Sequence, residues 1–425
     1  MQRNPLPAKA ARRLAELAAE VTRHVDQAVA EGHPADVTLA AYFRERRELG
    51  ARDRRFLSDL VFSYYRWKGW AGGPSEAALV ASCLLDASDL HPALERLAQR
   101  AGLSDDPRPL GRATLDEKAA AAARWLGQAR PQSVESLVPR WFRDALFTPP
   151  GTDPGEHLAR CIASLQQRPP TWLRLSRGRE QGVLDEVARA GISVVSQFGP
   201  AVAVGASSAL NALSAAARSQ FEVQDLASQC VGWLCSPAPG QRWWDVCAGA
   251  GGKALHLADL MQDRGRLVAT DVRPPALSEL RRRAKRAGLT SIQTSETQDL
   301  PRGLFDGVLV DAPCSNTGTW SRNPDARWRT GEAEVRKKAK AQAALLRRAA
   351  VAVKPGGVLV YSVCAVTTAE TVGVIEPFLN ERPEFLPETM VHPLRKTGER
   401  GVIWIWPWEG PCDGMFIARM RRQAL

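Results

Sequence analysis

Apolar residues recur at three- and four-residue intervals through the first third of the chain. In AARRLAELAAEVTRHVDQAVAEG the stripe runs to Gly32, with Pro34 close behind, which predicts a helix ending there. The segment ARDRRFLSDLVFSYYRWKGW (51–70) places Leu57, Leu60, Val61, Tyr64 and Tyr65 on one face and turns Arg52, Arg54, Arg55 and Arg66 towards the other. Further helices are expected over 76–86, 91–101, 115–126 and 134–146, so residues 1–147 read as one helical domain. TPPGTDPG (148–155) has the composition of a linker. Over 156–236 the pattern predicts a small α+β module. It has a strand in RPPTWLRLS (168–176), a helix in GVLDEVARAG (182–191) and a strand pair in SVVSQFGPAVAVGA (193–206).

From residue 237 onward the rhythm becomes strand, glycine loop, helix. Five short apolar runs predict buried strands at Arg242–Val246, Arg266–Thr270, Ser291–Thr294, Gly307–Val310 and Val358–Tyr361. Helical patterns separate most of them, at 253–263, 276–287 and 331–352. That alternation predicts a doubly wound, Rossmann-like parallel sheet over 237–425. GVIWIWPWEGPCDGMFIARM (401–420) reads as a hairpin added at its edge.

Composition narrows the partners. A formal charge of +11 favours a polyanion such as nucleic acid, because neutralised phosphates release counterions. No apolar run approaches the ~18 residues of a membrane helix, the N-terminus lacks a signal-peptide core, and a cytoplasmic location is expected. The 8 cysteines and 6 histidines show no metal-ligand spacing, so no metal is expected. No spare apolar stripe asks for a second copy, and a monomer is expected.

DVCAGAGGK has the strand-then-glycine form of a nucleotide-type cofactor site, with Gly249, Gly251 and Gly252 turning into a helix. It is not a phosphate-binding P-loop, since Ala254 stands where Ser or Thr would hold Mg²⁺. Asp271, at the end of the next strand, can accept from both hydroxyls of a ribose. Because G-x-G-x-x-G is absent, S-adenosylmethionine is preferred over a dinucleotide.

Two thiols complete the pattern. Cys314, in VLVDAPCSNTGTW with Asp311 three residues before it, and Cys364, in GGVLVYSVCAVTTAE, both follow predicted strands at the ligand-binding edge. A lone cysteine at a strand end is usually packing; two on neighbouring strand ends are harder to dismiss. A thiolate adding to C6 of a cytosine makes C5 nucleophilic towards an activated methyl, and a base must then remove the C5 proton.

DVCAGAGGK, LVDAPCSNTGTWSRNPDARW, KPGGVLVYSVCAVTTAE and CDGMFIARM, in that order, resemble the motifs of the RsmB/Nop/Sun family of RNA cytosine-C5 methyltransferases. RDRRFLSDLV, RPPTWLRL and VQDLASQ extend the resemblance upstream. It implies an S-adenosylmethionine-dependent methyltransferase domain preceded by a small RNA-binding module and an all-α, NusB-like RNA-binding domain. It also implies RNA as partner, most readily small-subunit rRNA or a ribosomal precursor particle. By position Cys364 is the expected nucleophile, and Cys314 the thiol that helps release the adduct. Asp311 is expected at the cytosine N3/N4 edge, and Lys253 near cofactor and target base. The expected cofactor contacts are Cys247, Ala248, Gly249, Ala250, Gly251, Gly252, Lys253, Asp271, Glu296 and Asp311. Glu370 matches a family glutamate, although a surface glutamate is an equally plain reading. The chain departs from the family at Ala250, Ala276 and Glu296, which points to weakened cofactor binding, and at Val363 and Ala365, which points to different hydrogen bonding around the nucleophile; activity is still expected. Trp320, Arg322, Arg327, Trp328 and Arg329 are candidate RNA contacts; RRRAKR (281–286) reads as a solvated helix face. The competing readings are the same chemistry on tRNA or another rRNA site, and a non-catalytic assembly factor. A DNA methyltransferase fits less well, since its nucleophile would be the D-x-P-C cysteine.

Overall fold

A computed structural model describes residues 8–103, 108–205, 207–296 and 302–424. The chain divides into two compact units. One comprises residues 1–167 together with 320–331, the other 168–319 together with 332–425.

The first unit is helical: Ala8–Ala30, Ala35–Glu45, Ala51–Ala71, Glu76–Asp86, Pro92–Arg100, Leu115–Trp125, Arg140–Ala145 and Pro154–Leu165. Local chemistry sets several ends. Thr114 and Glu117 form a reciprocal capping box at the start of Leu115–Trp125, and the Ser75 hydroxyl accepts from the Ala78 amide. The helix expected over 134–146 is broken into a 3₁₀ turn and a short helix, because Val138 is extended before Pro139. The expected linker is folded at its end: Asp153 caps Pro154–Leu165, and that helix belongs to this unit rather than to the α+β module.

The segment Trp320–Gly331 corrects the sequence reading most. Trp320 is buried, its ring centroid 4.7 Å from Phe142 and 6.0 Å from Trp141. Arg327 is fully buried, and its guanidinium donates to the carbonyls of Leu137 (2.7 Å), Arg66 (3.3 Å) and Leu165 (3.3 Å). Trp328 Nε1 donates to the Tyr65 carbonyl, and Asp325 accepts from the Ala35 amide at a helix start that has no side-chain cap of its own. Trp320 and Arg327 are therefore core groups of the helical unit and not surface contacts for RNA. Burial disfavours the charge on Arg327 and brings its pKa down to about 9.

The second unit opens with four antiparallel strands: β1 (Thr171–Leu175), β2 (Val194–Phe198), β3 (Ala201–Val204) and β4 (Phe221–Val223), in the order β2-β3-β1-β4. The large sheet follows, with β5 (Arg242–Asp245), β6 (Arg266–Thr270), β7 (Ile292–Ser295), β8 (Phe305–Asp311) and β9 (Val353–Val363). These five run parallel in the order β7-β6-β5-β8-β9. The chain winds one way from β5 and then returns to its other side at β8. Such a reversal opens a crevice at the strands' C-terminal ends. Beyond come β10 (Phe385–Pro387), the small pair β11 (Thr389–Val391) and β12 (Gly398–Arg400), then β13 (Val402–Ile405) and β14 (Met415–Arg422). β13 and β14 form the expected hairpin, and β14 lies antiparallel against β9, setting Phe416 opposite Val363.

The core of this sheet is made of the apolar runs that betrayed it: Val308, Leu309 and Val310 on β8, and Leu359, Val360 and Tyr361 on β9, all buried. Gly307 has no side chain because a Cβ there would lie 2.3 Å from the Trp243 indole.

Candidate active site

Neighbouring parallel strands bring the two thiol motifs together. Register pairs Asp311 with Ser362, so the loops after β8 and β9 emerge side by side. Cys314 Sγ and Cys364 Sγ lie 3.3 Å apart. Cys314 is buried and Cys364 partly exposed. The hydrogen bond to Cys314, then burial, then the charge of Asp311 hold the Cys364 thiol well above its ordinary pKa, with Lys253 opposing them.

Asp311 is held at both oxygens. Lys253 Nζ donates to Oδ2 at 2.8 Å and Ser362 Oγ to Oδ1 at 2.8 Å. Burial works against the charge on Lys253, but Asp311 outweighs it and the amine sits above its ordinary pKa.

Glu370 is buried, contrary to the surface reading. Its Oε1 accepts from the Ser315 amide (2.8 Å) and Gln342 Nε2 (3.0 Å), and its Oε2 from the hydroxyls of Ser315 (2.5 Å) and Thr367 (2.9 Å). One carboxyl group thus fastens the Cys314 loop to the Cys364 loop. Gly318 closes the same region from outside, since a Cβ there would lie 2.3 Å from the Gly414 carbonyl.

The glycine turn follows β5. Gly249 and Gly251 adopt φ +55° and +90°, and a Cβ on Gly251 would meet Leu280 at 2.6 Å. Asp271, at the end of β6, accepts from the Gly249 amide (2.8 Å) and is gripped by Arg273 at 2.9 and 3.1 Å. Burial opposes its charge, but these donors hold its carboxyl below the usual range. Two arginines steady the turn from behind: Arg283 donates to the Ala250 carbonyl and buried Arg174, on β1, to that of Gly252, both at 2.7 Å. Ala248 is buried, Ala250 exposed, and Cys247 is half-buried with its thiol pushed up by burial. Glu296 follows β7, beside Asp271 in register, and is exposed and loosely paired with Arg281 at 3.7 Å.

Sequence reasoning missed three contributors. Asp245 is fully buried at the end of β5, with no aligned hydrogen-bond partner at either oxygen among the described residues. Burial and then the charge of Asp311 push it up to about 8, against Lys253 and the Cys247 amide. Asn316 reaches both sulfurs, and Ser362 supports Asp311. A turn composition (S-N-T-G) was the one local signal for Asn316; Asp245 and Ser362 needed the strand register.

An anionic ribose clamp beside a glycine turn, with the buried Asp245 carboxyl alongside, suits a nucleoside cofactor with a cationic centre. Residues 233–421 match the family of 16S rRNA methyltransferases RsmB/F. A putative methyltransferase of Mycobacterium tuberculosis, MT1451, is 30% identical over 91% of this chain and 92% of its own length. A probable ribosomal RNA small subunit methyltransferase B of Synechocystis sp. is 38% identical, over 51% of each chain. In fold, the crystal structure of PH0851 superposes with a TM-score of 0.73 at 23% identity, covering 99% of this chain and 100% of that one. The chain belongs to the RsmB/F family of S-adenosylmethionine-dependent RNA methyltransferases.

Proposed function

We propose that this protein methylates C5 of a cytosine in RNA, with small-subunit rRNA as substrate, through a covalent adduct between Cys364 and C6 of the base. The observation that carries the reading is the pair of thiols 3.3 Å apart beside an Asp311 fixed by Lys253 and Ser362. Few structural roles call for two reduced cysteines in contact at the mouth of a crevice.

The parts divide as follows. Cys364, the more exposed thiol, adds to C6 as its thiolate, and C5 gains the electron density it lacks in the free base. S-adenosylmethionine, when bound, supplies an electrophilic methyl group. Asp271 would hold its ribose, the turn Cys247–Lys253 its amino-acid portion, and Glu296 its base edge. Asp311 hydrogen-bonds the N3/N4 edge of the cytosine, and Lys253 keeps its carboxyl aimed. Cys314, as a thiolate once its own proton has left to solvent, takes up the C5 proton, and the C6–S bond breaks as the C5–C6 double bond re-forms, returning Cys364 as a thiolate. The base has to leave its stack for C5 and C6 to be reached. RNA binding by the helical unit, in the NusB-like manner, and by the α+β module completes the reading; the charge of +11 supports it.

The test is methyl transfer from labelled S-adenosylmethionine into unmodified small-subunit rRNA. Wild type should label a cytosine C5, Cys364→Ala should be inactive, and Cys314→Ala should accumulate a covalent RNA–protein adduct. An adduct with Cys364→Ala would exchange the thiol roles. Wild type that labels neither rRNA, tRNA nor precursor particles would leave a non-catalytic assembly factor as the better reading.

A further inference from the structure

The thiol chemistry leaves one neighbour of the two sulfurs without a task. Asn316 has φ +58°, in the left-handed region that asparagine tolerates better than most residues. Its carboxamide lies over both thiols: Oδ1 is 3.1 Å from Cys364 Sγ and 3.4 Å from Cys314 Sγ. The turn that carries it is fixed to the nucleophile's own loop. The Gly318 amide donates to the Cys364 carbonyl at 3.0 Å, and Thr317 Oγ1 accepts from the Val366 amide at 3.0 Å. Asn316 is therefore placed on the reacting atoms by backbone geometry on both sides.

We propose that Asn316 is a catalytic residue of this site, a reversible hydrogen-bond partner whose Oδ1 accepts from the thiols at rest and whose Nδ2 donates to the Cys364 sulfur when it is a thiolate. The proposal rests on reading Cys364 as the nucleophile. A carboxamide carries an acceptor at one end and a donor at the other, and a half-turn about its terminal bond exchanges them. The two states are not equal in strength. A thiol is a weak donor to Oδ1, whereas an N–H aimed at an anionic sulfur makes a charge-assisted bond roughly twice as strong as a neutral one. The net bias is towards the thiolate.

That bias is needed here. The groups facing Cys364 are Cys314, on the loop after β8, and Asp311, at the end of β8, both of which oppose a negative sulfur. Lys253, from the helix Gly252–Leu260, favours it. The Lys253 ammonium is already committed to Asp311 at 2.8 Å. A neutral donor that turns towards sulfur only after the proton has left to solvent supplies what the fixed charges do not.

The test measures alkylation of Cys364 by iodoacetamide in the full-length protein between pH 6 and 11, under reducing conditions, read from the Cys364 peptide by mass spectrometry. Asn316→Gly removes the amide and accepts the same backbone. Asn316→Asp keeps size and shape but has no donor. Below the wild-type midpoint, both variants should alkylate roughly tenfold more slowly, with the midpoint moved up by about one pH unit. Asn316→Asp should move at least as far as Asn316→Gly, because it adds a negative charge. Thermal midpoints are followed alongside, so that a folding defect in Asn316→Gly leaves Asn316→Asp to decide. An unchanged or lowered midpoint in the folded variants overturns the proposal. The assay contains no RNA or methyl donor. Raised midpoints in a protein that methylates no RNA would uphold Asn316 as the partner of the Cys364 thiolate while sinking the methyltransfer reading and, with it, a catalytic role for Asn316.

Discussion

Replacing Glu370 separates a carboxyl that merely fills space from one that holds two loops. Its oxygens have different partners. Oε1 receives two N–H donors, the Ser315 amide and Gln342 Nε2, which cannot turn into acceptors; Oε2 receives two hydroxyls, Ser315 and Thr367, which can. In Glu370→Gln the carbonyl oxygen takes the Oε1 place, the new amide faces hydroxyls free to accept, and the cost should be about 1 kcal/mol. In Glu370→Ala all four partners lose their acceptor in a site with no solvent access, though Gln342 keeps the Pro313 carbonyl. At about 1–3 kcal/mol for each stranded buried donor, the loss should be about 3–5 kcal/mol. Because the chain has two units, a single global unfolding free energy would blur this effect. Hydrogen exchange read on peptides 312–319 and 364–371 localises it. Protection there should fall roughly a hundredfold or more in Glu370→Ala and less than about tenfold in Glu370→Gln. Equal losses in the two variants, or full protection in Glu370→Ala, would refute the argument that this carboxyl joins the thiol loops.

Other consequences are as direct. Asp245 is an acid raised to about 8, so the unfolded chain ionises near pH 4 while the folded one does not, and stability falls as pH rises from about 4 to about 8. Asp245→Asn should remove that decline; thermal scans of both proteins at pH 5 and pH 8 that keep a constant gap would contradict it. Arg327→Lys cannot reach three carbonyls at once and should destabilise the helical unit by about 2–4 kcal/mol, measured by urea denaturation. It should leave the salt dependence of RNA binding unaltered, and a slope reduced by about one would restore Arg327 as a phosphate contact. Arg174→Met leaves the Gly252 carbonyl without its buried donor and should weaken S-adenosylmethionine binding about tenfold by calorimetry, with Arg174→Lys in between; unchanged affinity would show that the turn needs no such support.

Legibility in the sequence followed burial and range. Strands such as Val308–Val310 and Leu359–Tyr361 are covered on both faces, so every position is apolar and the run announces itself. Asp311, Cys314 and Cys364 were legible as candidates because each lies in a local motif just after a strand, whereas Lys253 was a candidate only through the family resemblance. What failed was polarity satisfied from afar. Arg327 and Trp320 carry the residue types of a nucleic-acid surface, yet the carbonyls and rings that receive them belong to helices more than a hundred residues earlier. Glu370 was named as a match to a family glutamate, but its burial was not legible for the same reason: its partners Ser315 and Gln342 lie on other elements. The helix Val372–Glu381 was hidden by Pro377 within it, and Leu226–Cys235 by an apolar surface with no polar face to set a period.

The helical unit is assembled from two separate stretches of chain, and that has a cost in time. Residues 1–167 leave the ribosome first, but the segment bearing Trp320 and Arg327 lies some 150 residues further on. At about 5–20 residues per second, the first stretch waits roughly 8–30 s for its last piece. During that interval the carbonyls of Leu137 and Leu165 and the ring of Phe142 have no partner from that segment. The nascent helices should then be a target for chaperones and proteases, and a fragment ending near residue 167 should be far less stable than its sequence suggests. Completion of the N-terminal unit becomes a checkpoint that synthesis passes only once β8 and the Cys314 loop have been made.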